Sequence, residues 1–434
     1  MPAGAERASG RRTRPGRVES PPGAPRRLRP LPGPPALQPA RLQPCSRINP
    51  VNDDRFVEHH VVPGSASRAR RAVLRPLGVA ALAAALAPRA AAQPKGPVAA
   101  PLKVAFVYVS PVSGVGWTPQ HDAGRRELEQ SLGQRVSTSF VENVAEGPDA
   151  ERVIRDLASR GHRLIFATSF GYMEPTLRAA RDFPEVAFEH LSGWQTAPNL
   201  AVYNARFYEG RWLAGMVAGH ASRSNAIGYV AGFPIPEVLQ GLNAFALGAR
   251  TTNPKAEVRV VWTSAWFDPG RERDAAMALV NQGVDVLSMH TGSAAVPQAA
   301  EVRGVRVVGY HSDMSSVAPK AHLVSVTHHW GRYYARRARA VLEGSWRSGS
   351  TWSGIADGMV RVGPIASDVP SEVVDRLRAR EADLVAGRAH PFTGPIRDNE
   401  GRVRLQRGAM GDDELNRIDW LVEGVVGRIP GAGR

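Results

Sequence analysis

The chain has 434 residues, with 55 Lys and Arg against 40 Asp and Glu (a formal charge of +15), and one cysteine. Sixteen arginines and five acidic residues lie before Gln93, so the remainder carries a balance of only +4, which argues against a basic nucleic-acid footprint. Cys45 lies in the same leading stretch, so nothing after Gln93 can form a disulfide, serve as a cysteine nucleophile or bind a metal through thiolate.

Residues 1–67 are rich in Pro, Arg and Gly with little periodic apolar patterning, which reads as a disordered leader or as a start codon assigned too early, the true start then falling near Val61. Residues 68–92 read as an export signal. Arg68, Arg70 and Arg71 form its charged end, residues 72–86 its mostly apolar run, and Ala90, Ala91 and Ala92 a small-residue cleavage site. The run is shorter than the roughly 20 residues that span a bilayer, so cleavage near Ala92 and a periplasmic product are expected. Arg70 and Arg71 also approximate a twin-arginine signal, which leaves the Sec and Tat routes both open.

Beyond Gln93 the periodicity predicts a strand over 102–109 and a helix over 120–132, then pairs at 135–141 and 149–161 and at 164–168 and 174–183, with further strands at 186–189 and 200–203 and a helix over 208–223. A second series follows: strand 226–230, helix 235–250, strand 258–263, helix 270–282, strand 284–289, helix 294–303, and strands 305–308 and 323–327. This rhythm predicts an α/β protein of two doubly wound parallel-sheet lobes enclosing a ligand cleft. A helix over 331–342 and a strand over 359–362 imply that the chain crosses back between lobes. The expected division is 100–224 plus about 328–352 for lobe 1, 225–327 plus about 353–390 for lobe 2, and 391–434 as a C-terminal extension wrapping the outside.

Strand carboxyl ends face the crevice in such architectures, so the residues after each strand are the candidate lining. They are aromatic and polar: Trp117, Phe170, Tyr172 and Asn204 from the first series, and Trp266, Phe267, His290, Asp313 and His328 from the second. Rings contributed from both sides suit a flat π-rich ligand, since stacking adds about 0.5–1.5 kcal/mol per pair beyond burial. Each aromatic could instead be an ordinary core residue, and Asp313 a turn or N-cap residue. His290, His311 and His328 come from separate loops without short-range ligand spacing, so no metal and no cofactor are expected. Hydrolase, nucleotide-loop and zinc-protease signatures are absent, and the Gly114–Gly116 pair lacks the third glycine of a dinucleotide fingerprint.

Several stretches together resemble the basic membrane protein family of ABC-transporter substrate-binding proteins, which includes bacterial purine nucleoside receptors. They are Val104-Ala-Phe-Val-Tyr with Gly116-Trp117-Thr-Pro-Gln-His-Asp122, Glu142-Asn143-Val144, Phe166-Ala-Thr-Ser-Phe-Gly-Tyr172, Tyr203-Asn-Ala-Arg-Phe-Tyr-Glu-Gly210, Trp266-Phe-Asp-Pro-Gly270, Gly309-Tyr-His-Ser-Asp313 and Phe392-Thr-Gly-Pro-Ile. The resemblance implies a type I periplasmic binding fold with three hinge crossings, non-enzymatic and monomeric, clamping a purine base or nucleoside for an inner-membrane ABC permease. It assigns base stacking to Trp117 and to Trp266 or Phe267, and a polar edge or sugar hydroxyl to Asp313. The Asp-x-x-Phe-Asn element of nucleoside-binding members is replaced here, and a family lysine becomes His328, which moves the expectation toward a free base such as adenine. A sensor or regulatory protein using the same cleft, or less readily a nucleoside-acting enzyme, are the alternatives.

Overall fold

The computed structural model describes residues 100–431; the stretches expected to be a leader and an export signal, 1–67 and 68–92, lie outside them. Strand β1 (Leu102–Val107) leads to helix α1 (Trp117–Leu132), followed by β2 (Val136–Val141), α2 (Pro148–Ser159), β3 (Leu164–Ala167), α3 (Met173–Asp182), β4 (Ala187–Leu191), β5 (Leu200–Ala205) and α4 (Phe207–Ala221). The second series runs β6 (Ala226–Ala231), α5 (Pro236–Thr252), β7 (Glu257–Trp262), α6 (Pro269–Asn281), β8 (Val286–His290), α7 (Ala295–Arg303), β9 (Arg306–His311) and β10 (His322–His328). Helix α8 (Gly331–Leu342), strands β11 (Ser350–Ser353) and β12 (Val360–Ile365), helix α9 (Ser371–Val385), strands β13 (Ile396–Arg397) and β14 (Val403–Leu405), helix α10 (Asp412–Leu415) and strand β15 (Val425–Val426) complete the chain.

One sheet has the order β11-β5-β4-β3-β1-β2 and the other β12-β10-β9-β8-β6-β7-β15. Within these two sheets all pairings are parallel except β10 with β12. Central strands such as β3, β4, β6 and β8 are buried at every residue, the pattern of sheets covered by helices on both faces. The helices start where local chemistry says they should. α2 opens on Gly147-Pro148 with Asp149 and Glu151 in its first turn, and the Asp268 side chain caps α6 by accepting the Arg271 N–H.

Chain order placed α4 in lobe 1, yet it packs against α5, α9, β10 and β12 of the second lobe. The reason is close approach. A Cβ on Gly215 would lie 2.2 Å from the Phe245 carbonyl oxygen, on Gly219 2.2 Å from that of Ala249, and on Gly248 2.0 Å from that of Trp212. Only glycine lets the two helix backbones approach this closely. Gly248→Ala is therefore expected to lower the unfolding free energy by about 1–3 kcal/mol, the range for overpacking, read from urea midpoints.

The chain crosses between lobes at Arg206, at His329 and Trp330, and at residues 354–359, giving the three expected crossings. They are tied together: the Arg206 N–H donates to the Ser353 carbonyl (2.8 Å) and the His329 N–H to that of Met359 (2.9 Å). The tail is part of lobe 2. β15 pairs with β7, and the Gln240 and Asn243 amides donate to the Leu415 and Trp420 carbonyls.

Candidate functional site

The carboxyl ends of both parallel sheets open onto one cleft of about 460 Å³, open solvent included. Lobe 1 lines it with Val109, Ser110, Trp117, Ser169, Phe170 and Ser192, and lobe 2 with Ile235, Glu237, Trp266, Phe267, His290, Thr291, Gly292 and His311. Five of the nine residues singled out in the sequence thus share one wall set: Trp117, Phe170, Trp266, Phe267 and His290.

Carboxylates hold the loops that carry these groups. Glu146 accepts the Ser169 hydroxyl (2.6 Å) and the Gly171 N–H (2.8 Å), fixing the turn that presents Phe170. Glu272, fully buried, accepts from the Thr291 and Ser293 hydroxyls (2.8 and 2.6 Å) and from the Asp268 N–H (3.1 Å), joining the loop of Trp266 and Phe267 to that after His290. Trp117 begins α1, and its indole N–H donates to the Thr168 carbonyl at 2.9 Å, which fixes the ring plane.

Helix α1 also meets the other lobe. The Gly116 N–H donates to the Ser312 hydroxyl (2.8 Å), and the Trp117 N–H reaches the Gly292 carbonyl (3.4 Å). Across the cleft, Oε2 of Glu237 accepts the Asn204 side-chain amide (2.9 Å) and the Ser192 hydroxyl. Ser192 and His311 both have left-handed backbone (φ 56° and 71°), a conformation that costs a side-chain-bearing residue of order 1–3 kcal/mol and concentrates at ligand sites.

The lining histidines His290 and His311 belong to a buried cluster that His328 extends behind the cleft wall. The rings of His311 and His290 are 5.8 Å apart and those of His311 and His328 5.3 Å, while His311 meets the Trp117 ring at 4.9 Å. Burial depresses the pKa of each. For His311 the neighbouring His328 and His290 depress it further, whereas for His290 the Glu237 carboxylate, 3.7 Å away, pulls in the opposite direction. Among the described residues no three His, Cys, Asp or Glu side chains are placed to hold a metal ion.

Four sequence expectations need correction. Tyr172 is buried, with its hydroxyl donating to the Val144 carbonyl (2.6 Å) inside lobe 1. Asp313 is exposed and its carboxylate accepts the Ser315 N–H (2.8 Å), so it closes its own turn instead of facing the cleft. His328 is covered by Phe207, Tyr310 and Trp330 and lies behind the lining, meeting α1 through its carbonyl, which accepts the Gln120 amide at 2.6 Å. Asn204 touches Glu237 and does not line the cleft. Glu237 itself went unnoticed in the sequence, because Pro-Glu at a helix start is also what ordinary helix electrostatics favours.

Two parallel-sheet lobes, three crossings and an aromatic cleft between them define a solute-binding protein of the type I periplasmic binding fold. Residues 102–387 match the family described as "ABC transporter substrate-binding protein PnrA-like", and the chain belongs to this family of binding proteins, which are not enzymes. It is 47% identical over 330 residues to a purine-binding protein of Brucella abortus, covering 76% of this chain and 94% of that one. It is 35% identical over 329 residues to a Haloferax volcanii protein named as a putative ABC transporter glucose-binding protein, covering 76% and 81%. Among solved structures, an ABC transporter solute-binding protein from Conexibacter woesei superposes with a TM-score of 0.56 at 22% identity, covering 67% of this chain and 98% of that one, which shows the shared fold.

Proposed function

We propose that this protein is an exported, monomeric periplasmic receptor that closes on a purine base of the adenine type, or on its nucleoside, and presents it to an inner-membrane ABC permease. The observation that carries this reading is the composition of the cleft: Trp117 and Phe170 stand on one side, and Trp266 and Phe267 on the other. The purine-binding relative at 47% identity supports it. Among the described residues no helix is long and apolar enough to cross a membrane.

Calorimetric titration of refolded, ligand-free protein with adenine, guanine and their nucleosides tests the reading, and heat from none of them defeats it. Trp117→Ala and Trp266→Ala are each expected to weaken binding at least tenfold, about 1.4 kcal/mol, without unfolding the protein. Normal binding by both variants rules out stacking by these rings. A hexose is the second reading, favoured by the glucose-binding relative and by the ability of aromatic clefts to pack against a sugar face. D-Glucose in the same titration decides between them.

A further inference from the structure

The fourteen residues that line the cleft include no Lys or Arg and one carboxylate, Glu237. Its side chain is 11% exposed and is held from the opposite lobe, with Oε2 accepting both the Ser192 hydroxyl and the Asn204 amide. Its other oxygen, Oε1, is 3.7 Å from His290 Nε2, and among the described residues Glu237 forms no ion pair with Lys or Arg. Arg211, fully buried in lobe 2, spends one nitrogen on the Ser288 hydroxyl and the Met289 carbonyl, lies 4.2 Å over the Tyr310 ring, and is absent from the lining.

From this arrangement we infer that Glu237 is the charge filter of the cleft: it accepts an N–H or O–H from an uncharged guest and turns away guests bearing a phosphate or carboxylate. Ser192 and Asn204 fill Oε2 from across the cleft, so closure itself fixes where Oε1 points. An added anion would sit within a few ångströms of a carboxylate in a cleft that closure shields from water, with no lining cation to offset the repulsion. A guest with ring N–H groups or hydroxyls meets the opposite situation, since a hydrogen bond to a carboxylate is stronger than one to a neutral acceptor. The inference rests on the cleft being the guest site, as proposed above, and not on the guest being a purine.

Two measurements test it. In the first, protein purified without unfolding is denatured and the released small molecule identified by mass spectrometry. An uncharged guest supports the filter, and a phosphorylated or carboxylated one overturns it. An uncharged guest that is not a purine supports the filter while defeating the purine reading. In the second, ligand-free protein is titrated with adenosine and adenosine 5′-monophosphate, and with D-glucose and glucose 6-phosphate. For whichever parent compound binds, the phosphorylated partner is expected to bind at least a hundredfold more weakly, and Glu237→Gln to narrow that gap to less than tenfold. Comparable binding of parent and phosphate by the wild type overturns the filter while leaving the purine reading intact. A gap as wide in Glu237→Gln as in the wild type also overturns it, because steric exclusion would then explain the selectivity.

Discussion

Ligand-free protein is expected to lose several kcal/mol of folding stability between pH 7.5 and pH 5, seen as a steep fall in its urea midpoint. Five histidines carry this effect. His121, His190, His290, His311 and His328 are almost wholly buried, and burial depresses the pKa of each; for His190 the result is about 3, even with the Ser169 backbone pulling the other way. An unfolded imidazole takes its proton near pH 6.5. The folded ones take theirs only at lower pH, so below about 6.5 the unfolded chain binds more protons than the folded one. Stability is therefore fully present above that pH and declines as pH falls toward the folded-state values. Each such histidine contributes a slope of about 1.4 kcal/mol per pH unit. Several together are large against a total stability of roughly 5–15 kcal/mol. A urea midpoint that holds level from pH 7.5 to 5 would show that these rings accept protons in the folded protein as readily as in the unfolded one.

Gly116→Ala is expected to cost at least a hundredfold in ligand affinity while leaving both lobes folded. Gly116 adopts φ 131°, a region that side-chain-bearing residues rarely enter. A Cβ there would stand 2.2 Å from the Gly292 carbonyl oxygen of the other lobe, a contact that neither backbone can yield locally. The same residue donates its N–H to Ser312, so relief by moving the lobes apart also breaks that hydrogen bond. Neither sheet nor its core depends on this contact. The expected signature is thus an unfolding transition close to that of the wild type together with weak or absent calorimetric binding. Affinity within threefold of the wild type would mean that the ligand is held without this approach of the lobes.

The sequence carries the fold at high definition because its signals are local. Alternation of strand and helix periods, with Gly and Pro at the joints, located almost every element of both series, and the aromatic residues after the strands located the cleft. Two kinds of information were not local, and one local signal pointed two ways. The lobe to which α4 belongs depends on Gly215, Gly219 and Gly248 meeting carbonyls of a facing helix, and a glycine in a helical pattern does not announce its partner. Asp313 follows a strand just as a ligand residue should, but Ser315 lies two residues on and offers its own N–H first. Glu237 has its role because Ser192 and Asn204, more than thirty residues earlier, swing against it from the other lobe. The helix α9, the edge strand β11 and the pairing of β15 with β7 were not anticipated either. The two strands are short, and their place is set by the neighbours they extend.

Both lobes borrow from far along the chain: β11 supplies the outer edge of the first sheet beside β5, and β15 that of the second beside β7. No single cut can therefore separate the polypeptide into two complete halves. During synthesis the final edge of the second lobe is still missing until Val425 and Val426 emerge, so a nascent chain exposes an unfilled sheet margin up to that point. A polypeptide shortened ahead of Val425 is left with that margin open, and its solubility is where the omission will register first.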